Sequence, residues 1–308
     1  MSKEIKGSVK KEKIRQEKKK ITKERKEYFE NKRAEKASKR YEVRSTKSET
    51  ASNSGGPISN IKSQTSNELM PLNKYLAHCG ISSRREAADI VRLGKVFVNG
   101  APINEPGHKV TSKDEIKYNG KRLFPAKDLV YILLNKPKDY LTTTDDPQNR
   151  KTVLDLIQGA TQERVYPVGR LDRNTSGVLL LTNDGELAQK LTHPSNEVKK
   201  LYAVTLDKPL TKADFEAIVK GVPLEDGVAH VDVLAFTDNA DKTQLGIELH
   251  IGRNRIVRRI FEHFGYDLKG LDRVVFAGLT KKNVNRGKWR FLNEKEVRDL
   301  KYFKKGKK

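Results

Sequence analysis

The part of the sequence that holds the most suggestive chemistry is a polar loop that runs directly into an apolar stretch. Residues 168–176 read VGRLDRNTS, and the apolar run from Val178 to Leu181 follows. Catalytic groups usually sit on loops that a rigid strand holds in place, and Asp172 is the carboxylate of this loop. An Asp in such a polar stretch also commonly caps a turn. The loop therefore predicts either a catalytic carboxylate or a turn cap at Asp172.

The elements that must position this loop are strands and helices in irregular order. Residues 131–137, YILLNKP, are typical of a buried strand that Pro137 ends. Asp184 and Gly185 are typical of a turn followed by a helix start. Because strands and helices do not alternate regularly, the pattern predicts an α+β domain with a mixed, largely antiparallel sheet. Further strand-like runs cover residues 178–182, 201–206 and 245–251, and helix-like runs cover 186–191, 212–219 and 255–264.

A smaller module of two helices and a hairpin is predicted to begin at residue 70. Ser83 and Glu86 have the spacing of a capping box, which predicts the start of the second helix. Asn99-Gly100 is a strong signal for a type I′ hairpin turn. The module is also basic, because the polar side of its second helix carries Arg84, Arg85 and Arg92.

The composition points to a polyanionic partner. The chain has 63 Lys and Arg against 40 Asp and Glu, a formal net charge of +23, which favours nucleic acid or an anionic membrane surface. No run of about 18 apolar residues is present, and the amino terminus is charged from Lys3 onward. We therefore expect no membrane span, no secretory signal and a cytoplasmic location. Cys79 is the single cysteine, and no Cys/His cluster has zinc-ligand spacing, so no metal site is expected.

The first 69 residues differ in composition from the rest. They contain twice as many Lys and Arg as Glu and end in a stretch rich in Gly, Ser and Asn. Such a segment cannot bury enough apolar surface to offset the entropy of ordering. We therefore predict a disordered basic tail over residues 1–69, and a short basic tail over 304–308.

Two motifs in the small module resemble the S4 RNA-binding module of ribosomal proteins and of enzymes that modify ribosomal RNA. SSRREA stands at the start of the second helix, and GKVFVNG follows that helix. The resemblance covers roughly residues 70–118. It implies an S4-like RNA-binding domain over 70–128, in which the RNA-binding candidates are Arg84, Arg85, Arg92 and Lys95.

The polar loop and the strand after it are similar to the signature of the bacterial rRNA pseudouridine synthases related to RsuA and RluB. The segment is GRLDRNTSGVLLLTNDG, residues 169–185. Four further segments match that family's pattern in the right order. They are LLNKP at 133–137, KKLYAV at 199–204, GRNRIVRRIFEHFG at 252–265 and LDRVVFAGL at 271–279. The resemblance implies a pseudouridine synthase catalytic domain over residues 129–303.

The resemblance also implies the catalytic residues and the reaction. Asp172 becomes the catalytic carboxylate, Arg258 its cationic partner, and Tyr202 the residue that stacks on the target base. The reaction isomerises a uridine, with neither oxidation nor hydrolysis, so no cofactor and no metal are expected. Arg170 is placed to fill the stack that a flipped base leaves. The other arginines of the late motif, assigned to RNA phosphate contact or structure, are Arg253, Arg255 and Arg259.

The expected partner is ribosomal RNA, either free or in pre-ribosomal particles, and the expected oligomeric state is a monomer. The RNRIVRR form of the late motif and the ending VNRGKWRFL favour 23S over 16S RNA. Two alternatives remain. The first is hydrolysis of a glycosidic bond, which usually needs two carboxylates beside the bond. The motif offers one such carboxylate, Asp172, because Asp184 is typical of a turn. A non-catalytic S4-type ribosome-assembly factor would be expected to lack Asp172, Tyr202 or Arg258.

Overall fold

A computed structural model describes residues 69–126, 128–238 and 240–303. The predicted tails over residues 1–69 and 304–308 lie outside this part of the chain, apart from Leu69. None of the helices in the described ranges is long and apolar enough to cross a membrane.

The first domain packs two helices against one face of a small sheet. Helix α1 covers Leu72–His78 and helix α2 covers Arg84–Arg92. Their apolar sides close a core with the inward residues of the sheet, among them Val96 and Ile116. The strands are β1 (Met70–Pro71), β2 (Val96–Val98), β3 (Ala101–Ile103), β4 (Lys109–Val110), β5 (Ile116–Tyr118) and β6 (Lys121–Arg122). The order is β3-β2-β5-β6, and β1 pairs separately with β4.

Local sequence signals account for this domain. The capping box is confirmed, because the backbone N–H of Glu86 donates to Ser83 Oγ (3.3 Å) and the N–H of Ser83 donates to Glu86 Oε2 (2.9 Å). Asn99 and Gly100 have φ values of 51° and 87° between β2 and β3. A type I′ turn requires positive φ at both central residues, which confirms the predicted hairpin.

The second domain is built on one large, mostly antiparallel sheet. The strands of this domain are β7 (Tyr131–Lys136), β8 (Tyr166–Pro167), β9 (Ser176–Thr182), β10 (Lys200–Leu206), β11 (Val222–Leu224), β12 (Gly227–Ala229), β13 (Val233–Phe236), β14 (Gln244–Leu249), β15 (Leu268–Phe276), β16 (Leu279–Thr280) and β17 (Trp289–Phe291). The large sheet has the order β13-β14-β10-β15-β9-β7-β17, with β16 on β15 and β8 on β9, and β11 pairs separately with β12. The pairing of β9 with β15 is parallel, whereas the other pairs in the large sheet are antiparallel. The predicted mixed, largely antiparallel architecture is confirmed.

Helices cover the large sheet and complete its core. Strands β7 and β9 are buried along their whole length, which explains the apolar runs over residues 131–134 and 178–181; the polar residues at their ends are buried as well. The predicted turn at Asp184 is confirmed as a helix cap, since its carboxylate accepts from the N–H of Leu187 at 3.0 Å. The helices are α3 (Gly185–Thr192), α4 (Lys212–Lys220), α5 (Ile256–Glu262) and α6 (Glu294–Lys301), with single 3₁₀ turns at Asp155–Ile157 and Pro194–Asn196.

The junction between β9 and β15 brings distant parts of the chain together. Gly177 pairs with Arg273 so closely that a Cβ on Gly177 would lie 2.1 Å from the backbone oxygen of Arg273. The φ of Gly177 is also +116°, which L side chains rarely adopt. Only glycine fits this junction. It holds the loop that leads into β9 beside the strands that carry the late motifs.

Candidate active site

The loop that carries Asp172 is fixed by hydrogen bonds at its own backbone. The N–H of Thr175 donates to the main-chain oxygen of Asp172 (3.0 Å), and the hydroxyl of Thr142 donates to the oxygen of Leu171 (2.8 Å). The turn therefore uses the carbonyl of Asp172 and leaves its carboxylate available. The turn at this position is therefore closed by the main-chain oxygen of Asp172, and its side chain does not cap the turn.

A buried lysine, to which sequence reasoning assigned no role, holds the same loop from below. Lys136 ends β7 and has no exposed surface. Its ammonium donates to the carbonyl oxygens of Thr175 (2.9 Å), Asp172 (3.1 Å), Pro137 (3.1 Å) and Arg173 (3.3 Å). Burial lowers the pKa of Lys136 to about 8, so the side chain remains an ammonium at neutral pH. The signal that could have revealed it is a lysine at the end of an apolar strand, directly before a proline.

Arg258 approaches Asp172 from helix α5. Its Nε lies 4.0 Å from Oδ2 of Asp172, and its Nη2 donates to the carbonyl oxygen of Asn174 at 3.3 Å. The Arg258 side chain is 12% exposed, against 35% for Asp172. A largely buried positive charge therefore stands behind a carboxylate that solvent can reach. The structure brings this predicted pair together.

Tyr202 shares a cavity with Asp172. The cavity has a volume of about 370 Å³ and is open to solvent on one side. Tyr202 lies on β10 and is half-buried. It packs against two clusters of buried apolar residues, one that includes Ile247 and one that includes Leu171. The residues around the cavity include Asp172, Tyr202, Arg170, Arg253, Arg255 and Leu271. One carboxylate and one aromatic ring thus face a space bordered by three arginines, which suits a base attached to a phosphate backbone.

A fully buried arginine lies beside Tyr202 in the sheet. Arg273 on β15 is the cross-strand partner of Tyr202, and its Nε donates to the carbonyl oxygen of Val178 at 2.8 Å. Burial lowers the pKa of Arg273, and the neighbouring Tyr202 opposes that shift. Arg273 therefore ties together β9, β10 and β15 below the cavity.

The four arginines of the late motif have different surroundings. Arg253 and Arg255 line the cavity, and Arg258 lies against Asp172. Arg255 has φ +47° and precedes α5, so the helix begins at Ile256 and not at residue 255 as its pattern predicted. Arg259 does not line the cavity. Both of its Nη atoms donate to the carboxylate of Asp226 (3.0 and 2.8 Å), on the turn between β11 and β12.

Asp226 connects the β11–β12 turn to the edge of the cavity. Besides Arg259, it lies 3.5 Å from Nη1 of Arg253, and the same Nη1 donates to the oxygen of Gly227 at 2.7 Å. The hydrogen bonds from Arg259 hold the pKa of Asp226 below its usual range. The turn thus restrains Arg253, one of the arginines that border the cavity.

We expect Asp226→Asn to weaken substrate binding more than turnover. The amide cannot accept a charge-assisted fork from Arg259 or attract Arg253, so Arg253 samples more positions. KM should rise by about three- to tenfold with kcat nearly unchanged. Steady-state kinetics on the RNA substrate checks this. Glu216→Gln is the matched control, because it removes the exposed partner of Lys212 on α4 (3.9 Å), and neither residue lines the cavity. An unchanged or lower KM for Asp226→Asn would contradict the expectation.

The remaining predicted RNA-binding residues lie on the first domain. Arg84, Arg85 and Arg92 are exposed on α2, and Lys95 is exposed just before β2. Arg92 is paired with Asp89 of the same helix at 2.6 Å. Their RNA contacts stay a prediction.

Comparison with known proteins agrees with this arrangement. Residues 130–263 match the family model described as RNA pseudouridylate synthase, and residues 70–116 match the S4 domain. The chain is 39% identical over 232 residues to ribosomal large subunit pseudouridine synthase B of Bacillus subtilis (strain 168), covering 74% of this chain and 94% of that protein. It is 37% identical over 231 residues to the dual-specificity RNA pseudouridine synthase RluF of Escherichia coli (strain K12), covering 74% and 77% of the two chains.

The fold has a counterpart among solved structures. A crystal structure of a pseudouridylate synthase superposes with a TM-score of 0.55 at 26% identity, over 75% of this chain and 99% of that one. The resemblance inferred from the loop and the late motifs is thereby confirmed over both domains. This chain belongs to the RNA pseudouridine synthase family, with an S4 domain ahead of the catalytic domain.

Proposed function

We propose that the chain isomerises a uridine of 23S ribosomal RNA to pseudouridine, with Asp172 as the catalytic carboxylate. The observation that carries the proposal is the cavity in which Asp172 and Tyr202 meet, with Arg258 4.0 Å from the carboxylate. The Bacillus subtilis relative, which is named for the ribosomal large subunit, supports the choice of RNA. The 16S RNA is the next candidate.

The reaction breaks the bond between uracil N1 and ribose C1′, turns the base, and joins C5 to C1′. The hydrogen on C5 leaves as a proton and N1 gains one, so the composition of the nucleotide is unchanged. Asp172 assists either by attacking C1′ or by stabilising the positive charge that develops there. Arg258 holds a compensating charge behind the carboxylate and keeps it oriented towards the cavity.

Tyr202 supports the base during its rotation. Its ring lines the cavity, where an extruded base can stack on it. Its hydroxyl can relay the proton released from C5. Because a uridine in folded RNA is inaccessible, the enzyme must extrude it, and exposed Arg170 at the edge of the cavity then fills the vacated stack. Arg253 and Arg255 bind the flanking phosphates.

The partner assignment follows from the same proposal. The enzyme binds its RNA in the cytoplasm, either as free RNA or within a pre-ribosomal particle, and it acts as a monomer. Arg84, Arg85 and Arg92 on α2, and Lys95 just before β2, give the S4 domain phosphate contacts of its own. Such contacts are electrostatic, so affinity should fall steeply with salt.

Release of tritium from C5-labelled uridine tests the function directly. We expect wild-type protein to release tritium from a 23S transcript and not from a 16S transcript, because only C5 of the modified uridine loses its hydrogen. Separate transcripts, each followed by mapping of the modified position, supply the measurement. Subfragments of the 23S transcript would then locate the uridine.

The other results have distinct meanings. Release from the 16S transcript alone would overturn the choice of RNA but keep the reaction. If neither transcript releases tritium, pre-ribosomal particles with the same label are the next substrate. Binding without release from transcripts and particles alike would favour the non-catalytic assembly factor and refute the proposed reaction.

A further inference from the structure

The four-stranded sheet of the S4 domain has two unlike faces. Its inner face carries Val96, Val98 and Ile116, which are buried against α1 and α2. The residues between them point the opposite way, because side chains alternate along a strand. Phe97 is one of these outward residues, and 40% of its surface is exposed.

The outer face holds a row of neighbouring side chains. Phe97 pairs with Lys117 on β5, and Lys117 pairs in turn with Arg122 on β6. Directly paired residues of an antiparallel sheet share a face, so the row crosses three strands and about 10 Å. Phe124, two residues after Arg122, is 62% exposed, and the guanidinium of Arg122 lies 5.2 Å from its ring centre.

The charges on this face favour a polyanion. Lys95 precedes Phe97 by two residues and is exposed, as is Arg122, whereas Lys117 is half-buried. Glu115 is the carboxylate in contact with them, 3.3 Å from Lys117 and 4.0 Å from Arg122. Two exposed aromatic rings among three cations and one carboxylate match a strand of nucleic acid, in which unpaired bases alternate with phosphates.

We propose that this outer face binds a single-stranded segment of the substrate RNA, with bases stacked on Phe97 and Phe124 and phosphates beside Lys117 and Arg122. It is a different surface from α2, whose Arg84 and Arg85 lie on the helical side. Stacking reads the flat face that all bases share, so the contact holds any unpaired strand next to the target. The inference rests on the proposed function only in taking that strand as part of the substrate.

Binding of a short oligoadenylate by the full chain tests the proposal. Adenosine cannot be isomerised, so the result does not depend on which uridine is modified, or on whether any is. Phe97→Leu and Phe124→Leu keep apolar surface but remove the ring. We expect each to weaken single-strand binding about fivefold or more, with an unchanged melting temperature and unchanged affinity for a duplex of equal length. Fluorescence anisotropy measures both.

The control is Tyr302→Leu, which removes an exposed aromatic ring (76%) at the end of α6, in the catalytic domain. It should bind oligoadenylate as wild type does. Equal affinity of wild type and the double Phe→Leu variant would overturn the proposal, and would leave the face to a protein partner. Equal losses for single strand and duplex would overturn it too, because a duplex offers no free base to stack. A protein that binds oligoadenylate as expected but releases no tritium would refute the proposed function alone.

Discussion

Asp172→Asn is expected to abolish tritium release from the RNA substrate. The amide is nearly the same size and stays beside Arg258, but it can neither attack C1′ nor stabilise positive charge there. Removal of a nucleophile typically lowers kcat by at least about 10⁴-fold, which is below detection here. RNA affinity should stay near wild type, since the arginines around the cavity are untouched. Single-turnover tritium release and a filter-binding titration measure the two quantities.

The matched control is Asp139→Asn. Asp139 is exposed and pairs with Arg173, next to Asp172, at 3.3 Å. The Asp139→Asn substitution therefore removes one carboxylate close to the same loop and leaves the cavity unchanged. We expect its kcat to lie within a factor of about two of the wild-type value. A folded Asp172→Asn protein that binds RNA and keeps a tenth of the activity would refute the catalytic role of the carboxylate.

Lys136→Met is expected to damage both stability and catalysis. Methionine keeps the apolar stem but removes the ammonium that four carbonyl oxygens share, three of them in the loop of Asp172. Unsatisfied buried acceptors should lower the free energy of unfolding by about 2–4 kcal/mol. A loop displaced by about 1 Å should lower kcat by about tenfold to a hundredfold. Denaturant unfolding and tritium release test the two parts separately.

Lys138→Met provides the comparison for Lys136→Met. Lys138 is two residues further on, is exposed, and reaches only the oxygen of Lys269 at 3.5 Å. It removes the same charge from the same segment and should leave stability and kcat nearly unchanged. Normal kcat and normal stability in Lys136→Met would show that the turn at Asp172 holds its shape without the ammonium.

Several features of the fold could be predicted because their causes are local. The capping box at Ser83, the Asn99-Gly100 turn and the helix cap at Asp184 each depend on residues within a few positions of one another. Strands β7 and β9 are apolar over residues 131–134 and 178–181, so their burial could be predicted from the sequence. The start of α5 was predicted one residue early, since the left-handed conformation of Arg255 has no periodic signature.

The site could be predicted only as a set of residues. The family resemblance implied that Asp172, Tyr202 and Arg258 act together, and the structure brings them to one place. The ion pair of Arg259 could not be predicted from the sequence, because its partner Asp226 lies in a hairpin that is distant along the chain. Lys136 was passed over for a similar reason, since its acceptors are backbone atoms whose positions depend on a later loop.

The sequence by itself determined the identity of the elements, the presence of an S4 module before a catalytic domain, and the residue types available for catalysis. The elements follow from short-range periodicity and turn chemistry, and the two modules follow from the family resemblance of the motifs. Only the tertiary structure decided which arginine is paired with Asp226 and which lysine supports the loop. The first contact joins α5 to the β11–β12 turn, and the second follows from the pairing of β7 with β9, which places Lys136 opposite Gly177. Such pairing is set by packing between segments that are far apart along the chain.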